Sequence, residues 1–380
     1  MTYLDYNATT PVDPAVLDAM LPYFREHFGN AASRTHVYGW QAADAVAQAR
    51  DQVARLLGVS EKEIVFTSGA TESVNLALKG ASEARRSASG HIITVETEHK
   101  AVLDTCDHLA RLGADVTYIT PHADGLIDPA QVEAALRPDT LLISVMVANN
   151  ETGVIQPIDA IAQLAQDRGI LFHTDATQAV GKLPLNLSDG LIDMLSLSGH
   201  KLYGPKGVGA LITRKHVKLT AQQDGGRHER GRRSGTLNVP GIVGLGKAAE
   251  LCHQQLMTET IRLCALRDRL EQGILSHVRG TVVNGNTTHR LPNTTNISFA
   301  NVDGEHLLDS LSELAASNGS ACTSATTEPS YVLKAMGLSD ELAYASVRFS
   351  LGRFTTDDEI DRAVQHVTDT VARLRVEFAG

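Results

Sequence analysis

The sequence predicts an α/β protein, with a mainly parallel sheet covered by helices and a smaller α+β domain beside it. Three observations carry that expectation. From about residue 64 to residue 212, short apolar runs alternate with helical segments, the pattern of strands joined by crossover helices. At 380 residues the chain is too long for one ordinary hydrophobic core. After Gly235-Thr236-Leu237 the alternation gives way to one long helical stretch from Pro240 to Val278, which predicts a crossing between domains near residue 255.

Taken in order, Pro11 stops any helix begun in the opening segment, and a first helix fits Pro14 to Phe28. A second, Gly39 to Leu57, places Ala42, Val46, Ala49, Val53 and Leu57 on one side by steps of three and four, and Gly58 ends it. Strands are expected at Ile64–Thr67, His91–Val95, Asp115–Ile119, Leu141–Val147, Ile170–Phe172, Ile192–Leu195 and Val208–Ile212. Helices are expected between them at Thr71–Ala81, Ala101–Leu112, Pro129–Leu136 and Ile158–Arg168. Beyond the long helix, strands fit Thr281–Val283, Thr295–Phe299 and Ser346–Ser350. A terminal helix carries Ile360, Ala363, Val364, Val367, Val371 and Leu374 on one face. The large domain is thus expected over 13–255 and the small one over 256–380.

Composition excludes several classes. A net charge of −10 argues against a general nucleic-acid binder, because phosphate backbones demand a basic face. No apolar run reaches membrane-spanning length, and the opening MTYLDYNATT has neither a basic segment nor an apolar core of a signal peptide. A cytoplasmic protein is expected, without membrane or direct nucleic-acid partners. Cys106, Cys252, Cys264 and Cys322 lack CxxC pairing, so neither a disulfide framework nor a zinc site is indicated, and no metal is expected. The first three read as core residues.

The chemistry concentrates at predicted strand ends, where a rigid sheet fixes loops that keep their side chains available. Ser196 to Gly209 reads SLSGHKLYGPKGVG. Ser198 and His200 can donate to an anion there, and Lys201 can form an imine with a carbonyl. Ser198 and Lys201 also match Ser-x-x-Lys, but the companion motifs of that nucleophile class are missing. Upstream, Asp175 in HTDATQ ends another strand. An Asp so placed, with a Lys after the next strand, suits pyridoxal 5'-phosphate (PLP): the carboxylate keeps the pyridine nitrogen protonated and the lysine holds the aldehyde. Ser68 to Ser73, SGATES, reads equally as a phosphate cradle at a helix start or as a helix merely capped by Thr71. The string GxxxxGK[ST] of a nucleotide-binding loop is absent. His99 follows a strand, Asn149-Asn150 forms a turn after another, and Arg348 lies within a third. Cys322 lies in SNGSACTS, small and polar residues that make a poor core segment, so a reactive thiol is expected there.

HxDxxQ, SxSxHKxYGPKGxG and Gly319-Ser320-Ala321-Cys322, in this order, make the chain resemble the cysteine desulfurases, in the NifS/IscS-like branch of the aminotransferase class V group of PLP enzymes. The resemblance runs from Tyr3-Leu4-Asp5 to the Arg348 region. It implies the PLP-dependent transferase fold, fold type I, with a mainly parallel sheet of the seven-stranded type, and residues 1–12 packed with the small domain. It also implies an activity: sulfur leaves L-cysteine for Cys322 as a persulfide, and L-alanine is released. By the same resemblance Ala70, Thr71, Ser198 and His200 hold the PLP phosphate, and Thr236 reaches that of the partner subunit in a homodimer. Asp175 meets the ring nitrogen, Gln178 the phenolic oxygen and Lys201 the aldehyde, while Asn150 lies beside the cofactor and the substrate carboxylate. His99 is implied to stack on the ring and shuttle protons from the substrate thiol. Arg348, assisted by Asn7, is implied to clamp the substrate carboxylate.

The Cys322 loop continues to Glu328-Pro329 before a helix at Tyr331, a length that matches the branch whose cysteine swings to an acceptor protein: an iron–sulfur scaffold, a tRNA-thiolation partner or a DNA-phosphorothioation partner. Selenocysteine lyase or another class V aminotransferase is the alternative activity. Gly225 to Thr236 departs from related sequences by Arg227 in place of a glycine and Arg232 in place of an apolar residue. Whether that basic loop also meets an acidic partner stays open at this stage.

Overall fold

The computed structural model describes residues 1–85, 90–318 and 328–378. The strands are β1 (Thr2–Tyr3), β2 (Ile64–Thr67), β3 (His91–Val95), β4 (Asp115–Ile119), β5 (Thr140–Ser144), β6 (Leu171–Asp175), β7 (Met194–Ser198), β8 (Gly209–Thr213), β9 (Thr281–Val283), β10 (Thr294–Phe299), β11 (Leu314–Ala315) and β12 (Ser346–Ser350). The helices that matter below are α1 (Pro14–Met20), α2 (Pro22–Arg25), α3 (Val37–Leu57), α4 (Ala70–Ala84), α5 (Lys100–Arg111), α6 (Pro129–Ala134), α7 (Ile158–Asp167) and α8 (Val239–His277). Later come α9 (Gly304–Ser310), α10 (Tyr331–Ala335), α11 (Asp340–Tyr344) and α12 (Asp357–Phe378).

Seven strands form the main sheet in the order β2-β8-β7-β6-β5-β3-β4, parallel except for β8, which runs antiparallel to both neighbours. Its direction has a physical cause. Only residues 199–208 separate β7 from β8, too few for a crossover helix, so the chain must reverse. Gly207 at φ +77° lies in that reversal.

Alternate side chains face opposite layers, as the pleat requires. Ile64, Phe66, Ile93 and Val95 enter one core, against α3, α7 and the first half of α8. Val65 and Ile92 enter the other, with Val74, Leu76, Val102 and Cys106 of α4 and α5. A separate core joins Leu4 to Leu263, Leu266, Leu270 and Ile274 of α8, to Ile297 and Phe299 of β10, and to Ile360, Val367 and Val371 of α12. There β9, β10 and β12 form a three-stranded antiparallel sheet. Gly273 lets α12 approach α8 closely: a Cβ would lie 2.7 Å from Val364 Cγ2.

Several expected boundaries move. The helix expected from Pro14 to Phe28 is two short ones, because Pro22 has no N–H to continue the ladder. The strand expected at Ile170–Phe172 runs on to Asp175, and that expected at Ile192–Leu195 runs instead to Ser198. Polar residues are acceptable there because they bond one another: His173, on β6, meets Ser144 at 2.9 Å and Ser196 at 2.9 Å. Cys106 and Cys252 are buried core residues, whereas Cys264 is only half-buried. Cys322 lies outside the described residues.

Candidate active site

Register brings the functional strand ends to one edge of the sheet. Thr67 and Ser198 both pair with Gly209, and Asp175 pairs with Ser196. Outside the carboxyl ends of these strands lies a cavity of roughly 500 Å³, the place where open α/β sheets bind ligands. It is lined by Asn7, Ala70, Thr71, His99, Asn150, Asp175, Gln178, Ser198, His200, Lys201 and Arg348. Every described residue singled out from the sequence for the site is there except Thr236, which is exposed and outside this cavity.

One end of the cavity is made by the start of α4. The N-cap is Gly69, at φ +155°, with no side chain to cap the helix. The helix merely capped by Thr71 is therefore not what forms; Thr71 sits inside the first turn. Uncapped N–H groups at the head of a 15-residue helix offer an anion directed donors and a favourable dipole. Gly209 allows this close approach, since a Cβ there would lie 2.7 Å from Gly69 Cα. Glu72 donates nothing to an anion, but its charge is answered. Burial alone would raise its carboxyl, yet bonds from Arg233 and Ser68 outweigh that and hold it low.

The middle carries Asp175 and Lys201. Asp175 is 5% exposed at the end of β6, and its Oδ1 accepts from the Thr177 N–H at 2.9 Å. Lys201 Nζ donates to the carbonyls of Asn7 at 2.5 Å and Ala8 at 2.7 Å. The N-terminal segment thus forms a wall of the site, fixed further by Thr10 N–H to the His200 carbonyl at 2.9 Å. His200 contacts Thr9 Oγ1 at 3.1 Å; burial, then the charges of Lys201 and Lys206, push its pKa down to about 4. His200 is neutral at neutral pH. Lys206 also lines the cavity but is exposed.

His99 is the N-cap of α5, and its Nδ1 accepts from the Ala101 N–H at 3.0 Å. That bond leaves Nε2 as the protonated nitrogen of the neutral ring. Behind it Glu98 is fully buried, and burial, then Asp175, push its carboxyl well above the usual range.

At the far end Arg348 is 3% exposed. Its Nη2 donates to Asp5 Oδ1 at 2.6 Å and its Nη1 to the Asn150 carbonyl at 3.0 Å, while Nε and Asn150 Oδ1 are buried without partners among the described residues. Asn7 is more committed than the sequence suggests. Its Nδ2 donates to Thr294 Oγ1 at 2.9 Å and to the Asn150 carbonyl at 3.2 Å, and its Oδ1 accepts from Asn293. Asp5, Met146, Ala148 and Thr177 went unrecognised in the sequence; only Thr177, inside HTDATQ, had a signal there.

The donor set fits PLP. A helix head suits the phosphate, a buried carboxylate the ring nitrogen, and an amine the aldehyde; the orphaned Asn150 Oδ1 and Arg348 Nε await polar partners. Among the described residues no cluster of His, Cys, Asp and Glu could hold a metal ion.

Residues 2–363 match the family model described as aminotransferase class-V. A curated relative named cysteine desulfurase IscS, from Anaeromyxobacter sp. (strain Fw109-5), is 56% identical over 98% of this chain and 93% of its own length. A solved NifS-like protein superposes with a TM-score of 0.92 at 37% identity, covering 98% of this chain and all of that one. A solved structure described as SspA in complex with cysteine gives a TM-score of 0.84 at 42% identity, covering 94% of this chain and 100% of the other.

Proposed function

Since the chain belongs to the aminotransferase class-V family, as a PLP-dependent cysteine desulfurase of fold type I, we propose specific roles for its cleft residues and for Cys322. The observation that carries them is the meeting, in one cavity, of the α4 head, Asp175, Lys201 and Arg348 from four distant stretches of sequence. Ala70, Thr71, Ser198 and His200 hold the phosphate. Asp175 holds a proton on the ring nitrogen, Gln178 donates to the phenolic oxygen, and Lys201 carries the aldehyde. When bound, PLP supplies an electron sink that makes the substrate Cα–H acidic and weakens its C–S bond. Lys201 is the base that takes the Cα proton and returns protons to carbon. His99 stacks on the ring and moves the proton of the substrate thiol. Arg348 binds the substrate carboxylate through N–H groups that Asp5 and Asn150 leave over, with Asn7 and Asn150 beside it.

Cys322 takes the sulfur. Its thiolate attacks the substrate sulfur, the C–S bond breaks, and the remainder, protonated at Cβ, leaves as alanine. The segment before it starts from Ser317, whose N–H and carbonyl bond the Arg348 backbone. The segment after it ends at Ser330 and Tyr331. Ser330 donates to Glu151 at 2.5 Å, and Tyr331 to the Glu98 carbonyl at 2.6 Å. The described residues on either side of the Cys322 segment are thus bonded to the cleft rim. Cys106 and Cys252 compete poorly, since burial pushes their thiols up to about 12.

The sulfur then passes to an acceptor protein, and the enzyme works as a homodimer in the cytoplasm. Phe24, Phe28, Tyr38 and Trp40 are about half exposed or more, an apolar surface that a second copy would cover. No helix among the described residues is long and apolar enough to cross a membrane. The two separate cores support a division into 13–255 and a small domain of 1–12 with 256–380.

Cys322→Ser tests the reading. The variant should fold, stay yellow and change its visible spectrum on adding cysteine, while alanine and persulfide formation collapse. Alanine release at the wild-type rate would show that Cys322 is not the acceptor.

A further inference from the structure

The roles above leave the buried base Lys182 unused. Lys182 is 8% exposed, and its Nζ donates to Gln178 Oε1 at 2.9 Å. Gln178, 5% exposed and lining the cleft, donates from Nε2 to the Asn7 carbonyl at 2.9 Å. That carbonyl also accepts from Lys201 Nζ at 2.5 Å. Gly181 turns the chain at φ +79°, packed so tightly that a Cβ would lie 2.8 Å from Cys252 Sγ. The turn brings Lys182 back beneath Gln178, four residues earlier.

A glutamine amide has nearly the same shape in either orientation, so its neighbours must decide which end faces a ligand. Here both neighbours speak. A protonated lysine only donates and a backbone carbonyl only accepts. Oε1 is therefore held back toward Lys182 and Nε2 toward Asn7, with the second N–H of Nε2 left to point elsewhere.

We propose that Lys182 is a positioning residue, which keeps the Gln178 amide turned so that it donates into the cleft rather than accepts. This rests on the reading that Gln178 faces the phenolic oxygen of PLP. A donor favours the oxygen as phenolate; a carbonyl would repel it and favour the protonated phenol. The placement of Lys182 is costly for stability alone. No carboxylate is bonded to it among the described residues, and burial, then the Lys201 charge, push it down to about 7. Arg348 and Cys252 complete its electrostatic surroundings.

The test compares holoenzymes loaded with PLP, reading the ratio of the yellow phenolate band to the near-ultraviolet phenol band per bound cofactor. Lys182→Met should lower that ratio roughly tenfold, the weight of one hydrogen bond to a charged group. Lys182→Gln, which keeps a donor without the charge, should stay within about twofold of wild type, and it decides the matter even where Lys182→Met does not fold. In a Gln178→Leu background, Lys182→Met should add nothing. An unchanged ratio in Lys182→Met, an equal shift in both backgrounds, or a full shift in Lys182→Gln would each overturn the proposal. A Gln178→Leu ratio equal to wild type would instead remove the reading of Gln178 on which it rests.

Discussion

Two loops of this molecule look alike in sequence and differ in what their charges do. Residues 199–208, GHKLYGPKGV, and residues 225–235, GGRHERGRRSG, both mix glycine with cations. In the first, His200, Lys201 and Lys206 all line the cleft, and Lys201 donates to the carbonyls of Asn7 and Ala8 on its wall. In the second, Glu229, Arg230 and Arg233 are bonded to the scaffold. Arg230 donates to the carbonyls of Lys62, Ile64 and Glu61, and Arg233 pairs with Glu72. Glu229, 7% exposed, takes Arg50 at 2.6 Å and accepts from the Phe66 N–H at 2.9 Å. Glu229 and Arg230 sit at φ +45° and +58°, unusual for side-chain-bearing residues and sustained by those bonds. A run of basic residues thus marks a ligand site only where the fold lines a cleft with it rather than bonding it to the scaffold. The second loop is chiefly a clamp on β2 and α4, the elements that build the end of the cleft proposed for the phosphate.

The comparison breaks first at Lys201. Lys201→Ala should abolish both alanine release and covalent attachment of the cofactor. Borohydride reduction of wild type followed by peptide mapping should place the pyridoxyl label on Lys201. A label on the exposed Lys206 would mean that the cleft loop had been read wrongly.

A smaller but still large effect is expected at the foot of the clamp. Glu229→Ala leaves the buried Arg50 guanidinium without its carboxylate, which typically costs about 3–5 kcal/mol. The urea midpoint should fall, and PLP retention should fall with it, because β2 leads directly into the head of α4. A midpoint shift without any loss of PLP would separate the clamp from the cofactor site.

The cleft was legible because its parts are short motifs at strand ends, where local sequence and position in the sheet say the same thing. Asp175 and Ser198 each close a strand, and the pairing of Thr67 and Ser198 with Gly209 aligns them. What escaped was set by contacts between distant segments. Asp5 meets Arg348 across 343 positions and Glu229 meets Arg50 across 179, and no periodicity announces either pair. Burial of polar strand residues escaped for the same reason: Ser196 looks like a strand terminator until His173 supplies its bond. The break at Pro22, by contrast, was readable, and the expected helix ran through it all the same.

Thr236 sharpens the comparison from the far end of the second loop. It is exposed and outside its own subunit's cavity, as expected if its hydroxyl serves the phosphate of a partner subunit. Thr236→Ala should weaken PLP retention by about 1.5–3 kcal/mol, the worth of one hydrogen bond to a charged group. Sedimentation should report a dimer in both proteins. A monomer that retains PLP fully would remove the shared site.

Arg227 is the residue on which the clamp reading predicts almost nothing. Its φ of −91° does not require the glycine expected there from the family resemblance. It is exposed and makes no hydrogen bond or ion pair among the described residues, unlike Arg230 and Arg233 on the same loop. Exposed charges of this kind are worth only ~0–1 kcal/mol. Arg227→Gly should therefore leave stability, PLP retention and alanine release within about twofold of wild type, since the restored glycine adds only a little backbone freedom. The measurement that gives this small effect its meaning is sulfur delivery to an acceptor protein at low and at physiological salt. If the loop is a clamp alone, the variant and wild type should show the same salt dependence. If Arg227 steers an acidic acceptor, wild type should deliver sulfur faster at low salt and lose that advantage as salt rises, while the variant does not. The second outcome would make Arg227 the docking charge of a loop whose Arg230 and Arg233 are bonded to the scaffold.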